Sequence, residues 1–269
     1  VTLPPGFEAV RDGRTRLLLR RDARDWLLPL LRAVVAGDCS VYQPRVLSGG
    51  RGGTTVVGAG GLEVVVRPYR RGGLPARLLH DTYVGYRPRP FRELAVTEAL
   101  RQRGAPVVEV HGAAVRWLLP GCYRGWLLTR YVAGAQTFWA WAGGAQAPAA
   151  RDDVLRRVGA TIRRLHACGA RHPDLNMNNI LICPAAGGAE VLLIDFDRAP
   201  TLLGKETADL RRVPAFDTPP RDGGYSGRTV PDLDRLRRSI RKLDPEGRFI
   251  TATDFEKLCA AYHQDHACA

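Results

Sequence analysis

Residues 171–182, RHPDLNMNNILI, decide how the rest of this 269-residue chain is read. A histidine, an aspartate and three asparagines crowd into eight consecutive positions, 172 to 179. Before them, Val154, Leu155, Val158, Ile162 and Leu165 recur at helical spacing, with Gly169 placed to end that helix. After them come ILI, a turn at PAAGG and then VLLIDFD, which reads as a hairpin whose second strand ends in Asp195 and Asp197. Asn and Asp bond nearby backbone and suit turns, so an isolated stretch of this kind would be an ordinary loop. What surrounds it gives the polarity a second meaning.

Phosphoryl transfer from a nucleotide needs a cradle for the polyphosphate, oxygen ligands for divalent metal, and a group that orients the attacking hydroxyl. His172, Asp174, Leu175 and Asn179 fit H-x-D-L-x-x-x-N, the catalytic-loop pattern of protein kinases. In that pattern Asp174 accepts the hydroxyl proton and Asn179 holds metal. I-D-F-D begins like the D-F-G element, which makes Asp195 the second metal ligand, and the 21 residues from 174 to 195 leave room for the hairpin to fold it back beside the loop. Upstream, Gly50 and Gly52 match the first two glycines of G-x-G-x-x-G-x-V, with Thr55 at the third and Val57 at the valine. LEVVVR matches V-A-I-K with Arg67 in the lysine's place. Of the 40 Lys and Arg residues the lysines are Lys205, Lys242 and Lys257, so no lysine before residue 205 could take that position instead. Arg binds phosphate and carboxylate through a fork whose geometry differs from a point-like ammonium. Its expected ion-pair partner is Glu93 on the helix FRELAVTEALRQRG, with Glu98 the alternative.

Residues 44–67 alternate glycine-rich turns with β-branched runs, the pattern of a small antiparallel sheet. Phe91, Leu94, Ala95 and Leu100 can share one face of the following helix, and Gly104 can cap it. GWLLTRYV reads as a buried strand, residues 133–149 as a connector with a helical turn or two, and the last third as mostly helical. The expected architecture is α+β in two lobes. Residues 1–132 form an N-terminal antiparallel-sheet lobe with one main helix, and residues 133–269 a mainly helical C-terminal lobe. WLLPLLRAVVAG, broken by Pro29 and Arg32, is too short to cross a membrane, and the opening residues lack the basic-then-apolar order of a signal peptide. The six cysteines show no CxxC pairing and read as reduced thiols of a cytosolic protein. A formal charge of +13 implies anionic partners.

Taken together, GGRGGTT, VVVRPYRRGGL, FRELAVTEALRQRGAPV, HPDLNMNNILI, LLIDFDRA, DRLRRSI and AAYHQ resemble the kinases of 3-deoxy-D-manno-octulosonic acid (Kdo), within the protein-kinase-like superfamily. The resemblance runs from about residue 45 to residue 264. It implies a bilobal kinase-like fold and an ATP- and Mg²⁺-dependent transfer to a Kdo hydroxyl, usually the 4-hydroxyl, of a lipid A precursor. It also implies peripheral attachment to the cytoplasmic face of the bacterial inner membrane. Asp174 would be the catalytic base, Asn179 and Asp195 the metal ligands, and Gly50, Gly52, Arg67 and Glu93 the nucleotide-binding set. Pro173 and Asn176 replace residues that protein kinases use for activation-loop anchoring and charge near the phosphate. Arg130 in the connector strand leaves the adenine contacts, expected at the backbone of residues 129–132, undetermined.

Each feature alone has a plainer explanation: a hairpin turn for the glycines, a strand end for IDFD, packing or capping for His166 and His172. Their order along the chain favours a phosphotransferase. Other classes remain: a heptose or other small-molecule kinase, a glycosyltransferase using D-F-D as a metal-binding DxD, or a kinase-fold binding protein without turnover. The basic segment Arg67, Tyr69, Arg70, Arg71 and Arg77 is either a solvated face or a patch for an anionic membrane surface. No nucleic-acid-binding motif accompanies the charge, so no nucleic-acid partner is expected.

Overall fold

The computed structural model describes residues 3–47, 53–70, 81–197 and 230–264. The chain divides into two compact units, residues 1–99 with 108–132 and residues 100–107 with 133–269.

The first unit opens with a hairpin, β1 (Phe7–Asp12) and β2 (Thr15–Arg20), and a helix, α1 (Arg24–Ala36). There follow β3 (Arg45–Val46), β4 (Thr55–Ala59), β5 (Leu62–Pro68) and β6 (Tyr83–Val84), then α2 (Arg89–Gln102), β7 (Val110–Leu119) and β8 (Cys122–Arg130). The strands form one antiparallel sheet in the order β1-β2-β7-β8-β5-β4-β3, with β6 also on β8. Strand alternation splits its side chains between two cores. Leu17, Leu19, Val57, Val64, Val66, Ala114 and Leu128 meet Leu27, Leu30, Leu31 and Val34 of α1. Leu18, Val110, Ala113, Val115, Tyr123 and Leu127 meet Phe91 and Leu94 of α2.

The unit therefore holds a second long helix beside the one expected. α1 carries Pro29 inside it. Proline removes one backbone bond, but Leu27, Leu30, Leu31 and Val34 still bury one helical stripe, and Gly37 ends it at φ 81°. Burying four such side chains contributes roughly 1.5–3 kcal/mol each, enough to hold the helix against the lost bond. The register also corrects the match of Val57 to the glycine-loop valine. Val56 lies opposite Val65, two residues before Arg67, whereas Val57 lies opposite Val64 and packs toward α1. On Arg67's face of the sheet the β4 valine is thus Val56.

In the second unit β9 (Gln136–Thr137), α3 (Phe138–Ala142) and the long α4 (Pro148–Ala167) precede the polar loop. The hairpin β10 (Ile180–Ala185) and β11 (Gly188–Leu193) follows it, and then α5 (Pro231–Leu243) and α6 (Ala252–His263). Thr251 and Asp254 form a capping box at the start of α6. Arg151 of α4 bonds Asp254 at 2.9 Å. Residues 100–107, placed with the N-terminal lobe by sequence, cluster instead with this unit. The carbonyl of Pro106 accepts the Leu193 N–H at 2.9 Å, Val107 bridges Leu193 in parallel, and the carbonyl of Gly104 accepts from Arg164 at 3.3 Å.

Among the described residues no helix is long and apolar enough to cross a membrane. Cys39, Cys122, Cys168, Cys183 and Cys259 are free thiols. Burial, helped by the nearby Glu190 charge, pushes the Cys183 thiol up to about 11.

Candidate active site

In the second unit the loop between α4 and β10 is organised by His172, which is wholly buried. Its Nε2–H donates to the carbonyl of Ile194 at 2.8 Å, and its Nδ1 accepts the backbone N–H of Asp174 at 3.2 Å. The acceptor at one nitrogen and the donor at the other fix the neutral Nε2–H tautomer. Burial, more than the opposing Ile194 bond and nearby carboxylates, holds its pKa below the ordinary histidine value. The ring also packs on Phe196, centroid to centroid 4.5 Å. One imidazole thus joins the backbone at Asp174 to the residue immediately before Asp195.

The carbonyl of Asp174 accepts from Asn176 Nδ2 and from Asn179 Nδ2, both at 2.9 Å. With its amide nitrogen occupied, Asn179 keeps its Oδ1 for a further partner. The carbonyl of Asn179 accepts the Ile194 N–H at 3.1 Å, so the strand end and the loop are stitched a second time. Asp174 itself is exposed and Asn179 buried. Asp195 sits at φ 70°, in the left-handed region, which Asp reaches more readily than most residues but still at a cost. The loop therefore brings Asp174, Asn179 and Asp195 onto one hydrogen-bonded frame. The donors at hand, a carboxamide oxygen and carboxylates, are hard oxygens of the kind Mg²⁺ takes beside phosphate and water. Among the described residues there is no group of three or more His, Cys, Asp or Glu suited to a metal held by protein side chains alone.

Behind this frame lies a residue to which sequence reading gave no role. Asp232, in the first turn of α5 and wholly buried, accepts the His172 N–H at 2.8 Å, His166 Nε2–H at 2.9 Å and Arg235 at 2.8 Å. Burial raises the pKa of such a carboxyl. The bonds from His166 and His172 and the charge of Arg235 outweigh it and hold Asp232 below the usual carboxylate range. Tyr262 of α6 completes the chain by donating to His166 Nδ1 at 2.8 Å. A signal existed: Asp232 shares the i, i+4, i+8 row with the buried Leu236 and Ile240, and a carboxylate on an apolar stripe needs partners.

In the first unit Arg67 donates from Nη2 to both carboxylate oxygens of Glu93, which is 2% exposed, and Tyr69 donates to the same carboxylate. Glu98, the alternative partner, binds Arg20 at 2.9 Å instead. Gly50 and Gly52 lie outside the described residues. Gly53, at φ 89°, has the Arg70 guanidinium so close that an added Cβ would stand 2.6 Å from it, so Arg70 lies against the end of the glycine-rich segment.

A sequence profile described as the lipopolysaccharide kinase (Kdo/WaaP) family matches residues 43–213. The chain is 33% identical to a 3-deoxy-D-manno-octulosonic acid kinase of Xanthomonas oryzae pv. oryzae, with 84% of each chain covered. It is 33% identical to one from Xylella fastidiosa, covering 81% of this chain and 78% of that protein. Against one from Haemophilus influenzae the identity is 30%, over 76% and 77% of the two chains. Among solved structures it is similar to WaaP in complex with acyl carrier protein, at a TM-score of 0.53 and 16% identity over 92% of this chain and 88% of that one, a likeness of fold.

Proposed function

This chain belongs to the lipopolysaccharide kinase (Kdo/WaaP) family, and from that premise we propose that it phosphorylates the 4-hydroxyl of Kdo on a lipid A precursor. It is a kinase of lipopolysaccharide-core assembly that transfers a phosphoryl group to a sugar hydroxyl. The choice of hydroxyl, the use of Mg²⁺, the residue roles and the membrane location are our reading.

The observation that carries the roles is the His172 bridge, which sets Asp174 beside the residue preceding Asp195. Asp174, exposed at the loop's crest, accepts the sugar hydroxyl's proton as that oxygen bonds to the γ-phosphorus and the bond to the departing nucleoside diphosphate breaks. Asn179 Oδ1 and Asp195 are the residues that would hold the metal. When bound, Mg²⁺ supplies charge neutralisation for the phosphate oxygens. Arg67, held by Glu93 and Tyr69, is the cation for the nucleotide phosphates, with the glycine-rich segment at Gly50 and Gly52 as their cradle. Arg donates in a planar fork and stays charged, so it can fill this position without a lysine.

We place the protein at the cytoplasmic face of the inner membrane, where its lipid-anchored acceptor would lie. Within the basic segment first considered for that contact, Arg67 is committed to Glu93 and Arg70 lies against Gly53, while Arg71 and Arg77 fall outside the described residues. Mapping the product by two-dimensional ¹H–³¹P NMR tests the acceptor position. The expected correlation joins phosphorus to H4 of Kdo. A correlation to another Kdo proton, or to heptose, would overturn that assignment.

A further inference from the structure

At one end of the first unit's sheet three large apolar side chains stand out in solvent: Val84 at 65% exposure, Tyr86 at 78% and Leu119 at 67%. Single exposed apolar residues are ordinary, but a group at one place calls for a partner. These three are held together by the backbone. The turn between β1 and β2 bonds the end of β7, Trp117 N–H to the Arg14 carbonyl at 2.9 Å and Arg14 to the Leu118 carbonyl at 3.3 Å. Gly85 N–H reaches the Gly121 carbonyl at 2.7 Å. Tyr86 stacks on the half-buried Trp117, with ring centroids 6.5 Å apart, and Trp117 packs edge-on to Tyr123 at 5.4 Å.

The surroundings are positive. A groove of about 480 Å³ is lined by Arg11, Arg14, Arg16, Tyr86, Trp117 and Leu119, among others. Arg11 stands directly opposite Arg16 across the β1–β2 pair, and like charges so placed oppose each other. None of the three arginines has an ion-pair partner among the described residues, and the nearby carboxylates are engaged elsewhere, Asp12 with Arg32 and Asp81 with Arg124, each at 3.0 Å.

We propose that this end of the sheet docks on an anionic lipid bilayer. Charge complementarity identifies the partner. Phosphate-bearing headgroups relieve the opposed arginines. Tyr86 and Trp117 have the apolar body and polar tip suited to headgroup depth. Leu119 and Val84, on or beside turns, enter the acyl boundary, which moulds to them without needing a matching pocket. None of the residues lining it is among those proposed for transfer. It deepens the membrane location proposed above, and the assay omits acceptor and nucleotide so that its outcome is independent of the kinase reading.

The test is co-sedimentation of the full chain with vesicles of phosphatidylglycerol in phosphatidylcholine, beside phosphatidylcholine alone. Wild type is expected to bind the anionic vesicles, and less so as salt rises. The triple change Arg11→Gln, Arg14→Gln, Arg16→Gln and the pair Tyr86→Ser, Leu119→Ser should each weaken binding by at least about tenfold, with thermal melts like wild type. Brominated lipid should quench tryptophan fluorescence on binding, and Trp117→Phe should remove that quenching. If the serine pair unfolds, Leu119→Gln alone serves in its place. Binding lost in Arg70→Ala, Arg71→Ala but kept in the changes at the sheet end would overturn this surface and leave membrane association standing. Failure of wild type to bind any vesicle would overturn the lipid partner and make an acidic protein surface the next candidate.

Discussion

His172 is the residue on which the loop between α4 and β10 turns, because its two ring nitrogens satisfy backbone groups from two separate segments. His172→Phe keeps a ring of similar size and strands the Asp174 N–H and the Ile194 carbonyl. Each stranded group costs about 1–3 kcal/mol, so urea unfolding should show about 2–6 kcal/mol of lost stability together with a fall in kcat. An unchanged unfolding midpoint would show that the bridge contributes nothing. The buried imidazole's lowered pKa also sets a pH dependence. The native protein binds fewer protons there than the unfolded chain, so the contribution is present above the ordinary histidine value near 6.5 and is lost as pH falls through it. His111, likewise pushed down by burial, adds to the same acid slope and would leave a residual one in His172→Phe. The loop's frame was legible as a spacing, because His172, Asp174 and Asn179 fall within a few positions and bond one another locally. Asp232 was not, since its partner His172 lies 60 residues earlier and the pairing exists only in three dimensions.

Helices and strands were legible where one face alone is buried. The α4 stripe and the β10–β11 hairpin declare themselves by period. α1 did not, because Pro29 and Arg32 read as breaks, although the Leu27, Leu30, Leu31 and Val34 row carries on past them. β7 escaped because it is buried for six successive residues and shows no alternation. Nor could periodicity show which of two neighbouring valines faces Arg67's side, since that depends on the β4–β5 register. At this scale Gly159 gives a sharp test. In an exposed helix Gly→Ala gains about 1 kcal/mol, but here a Cβ would stand 2.2 Å from the Leu258 carbonyl and 3.0 Å from the Tyr262 nitrogen of α6. Backbone atoms cannot step aside cheaply, so overpacking outweighs propensity. Gly159→Ala should lower stability by about 1–3 kcal/mol and reduce transfer by shifting Tyr262 from His166. A raised melting temperature would contradict the close approach of α4 and α6.

At the scale of the whole molecule, the residues proposed for transfer are divided between the two units. The Arg67–Glu93 pair belongs to the first unit, and Asp174, Asn179 and Asp195 belong to the second. The chain's charge of +13 suits both a polyphosphate nucleotide and an anionic surface, so charge alone does not choose between them. The residues proposed for transfer and those proposed for lipid binding do not overlap, so changes at one set should leave the other activity intact. We propose that the loop at Asp174 transfers phosphate to Kdo. Its most direct test is transfer from γ-labelled ATP with Mg²⁺ to a Kdo-bearing lipid A precursor, with a heptose-bearing acceptor as control and Asp174→Ala beside wild type. Label should pass to the Kdo acceptor alone, and the variant should fall by at least about a hundredfold while still binding ATP. Comparable transfer by Asp174→Ala, or no transfer by folded wild type that binds ATP, would contradict the account.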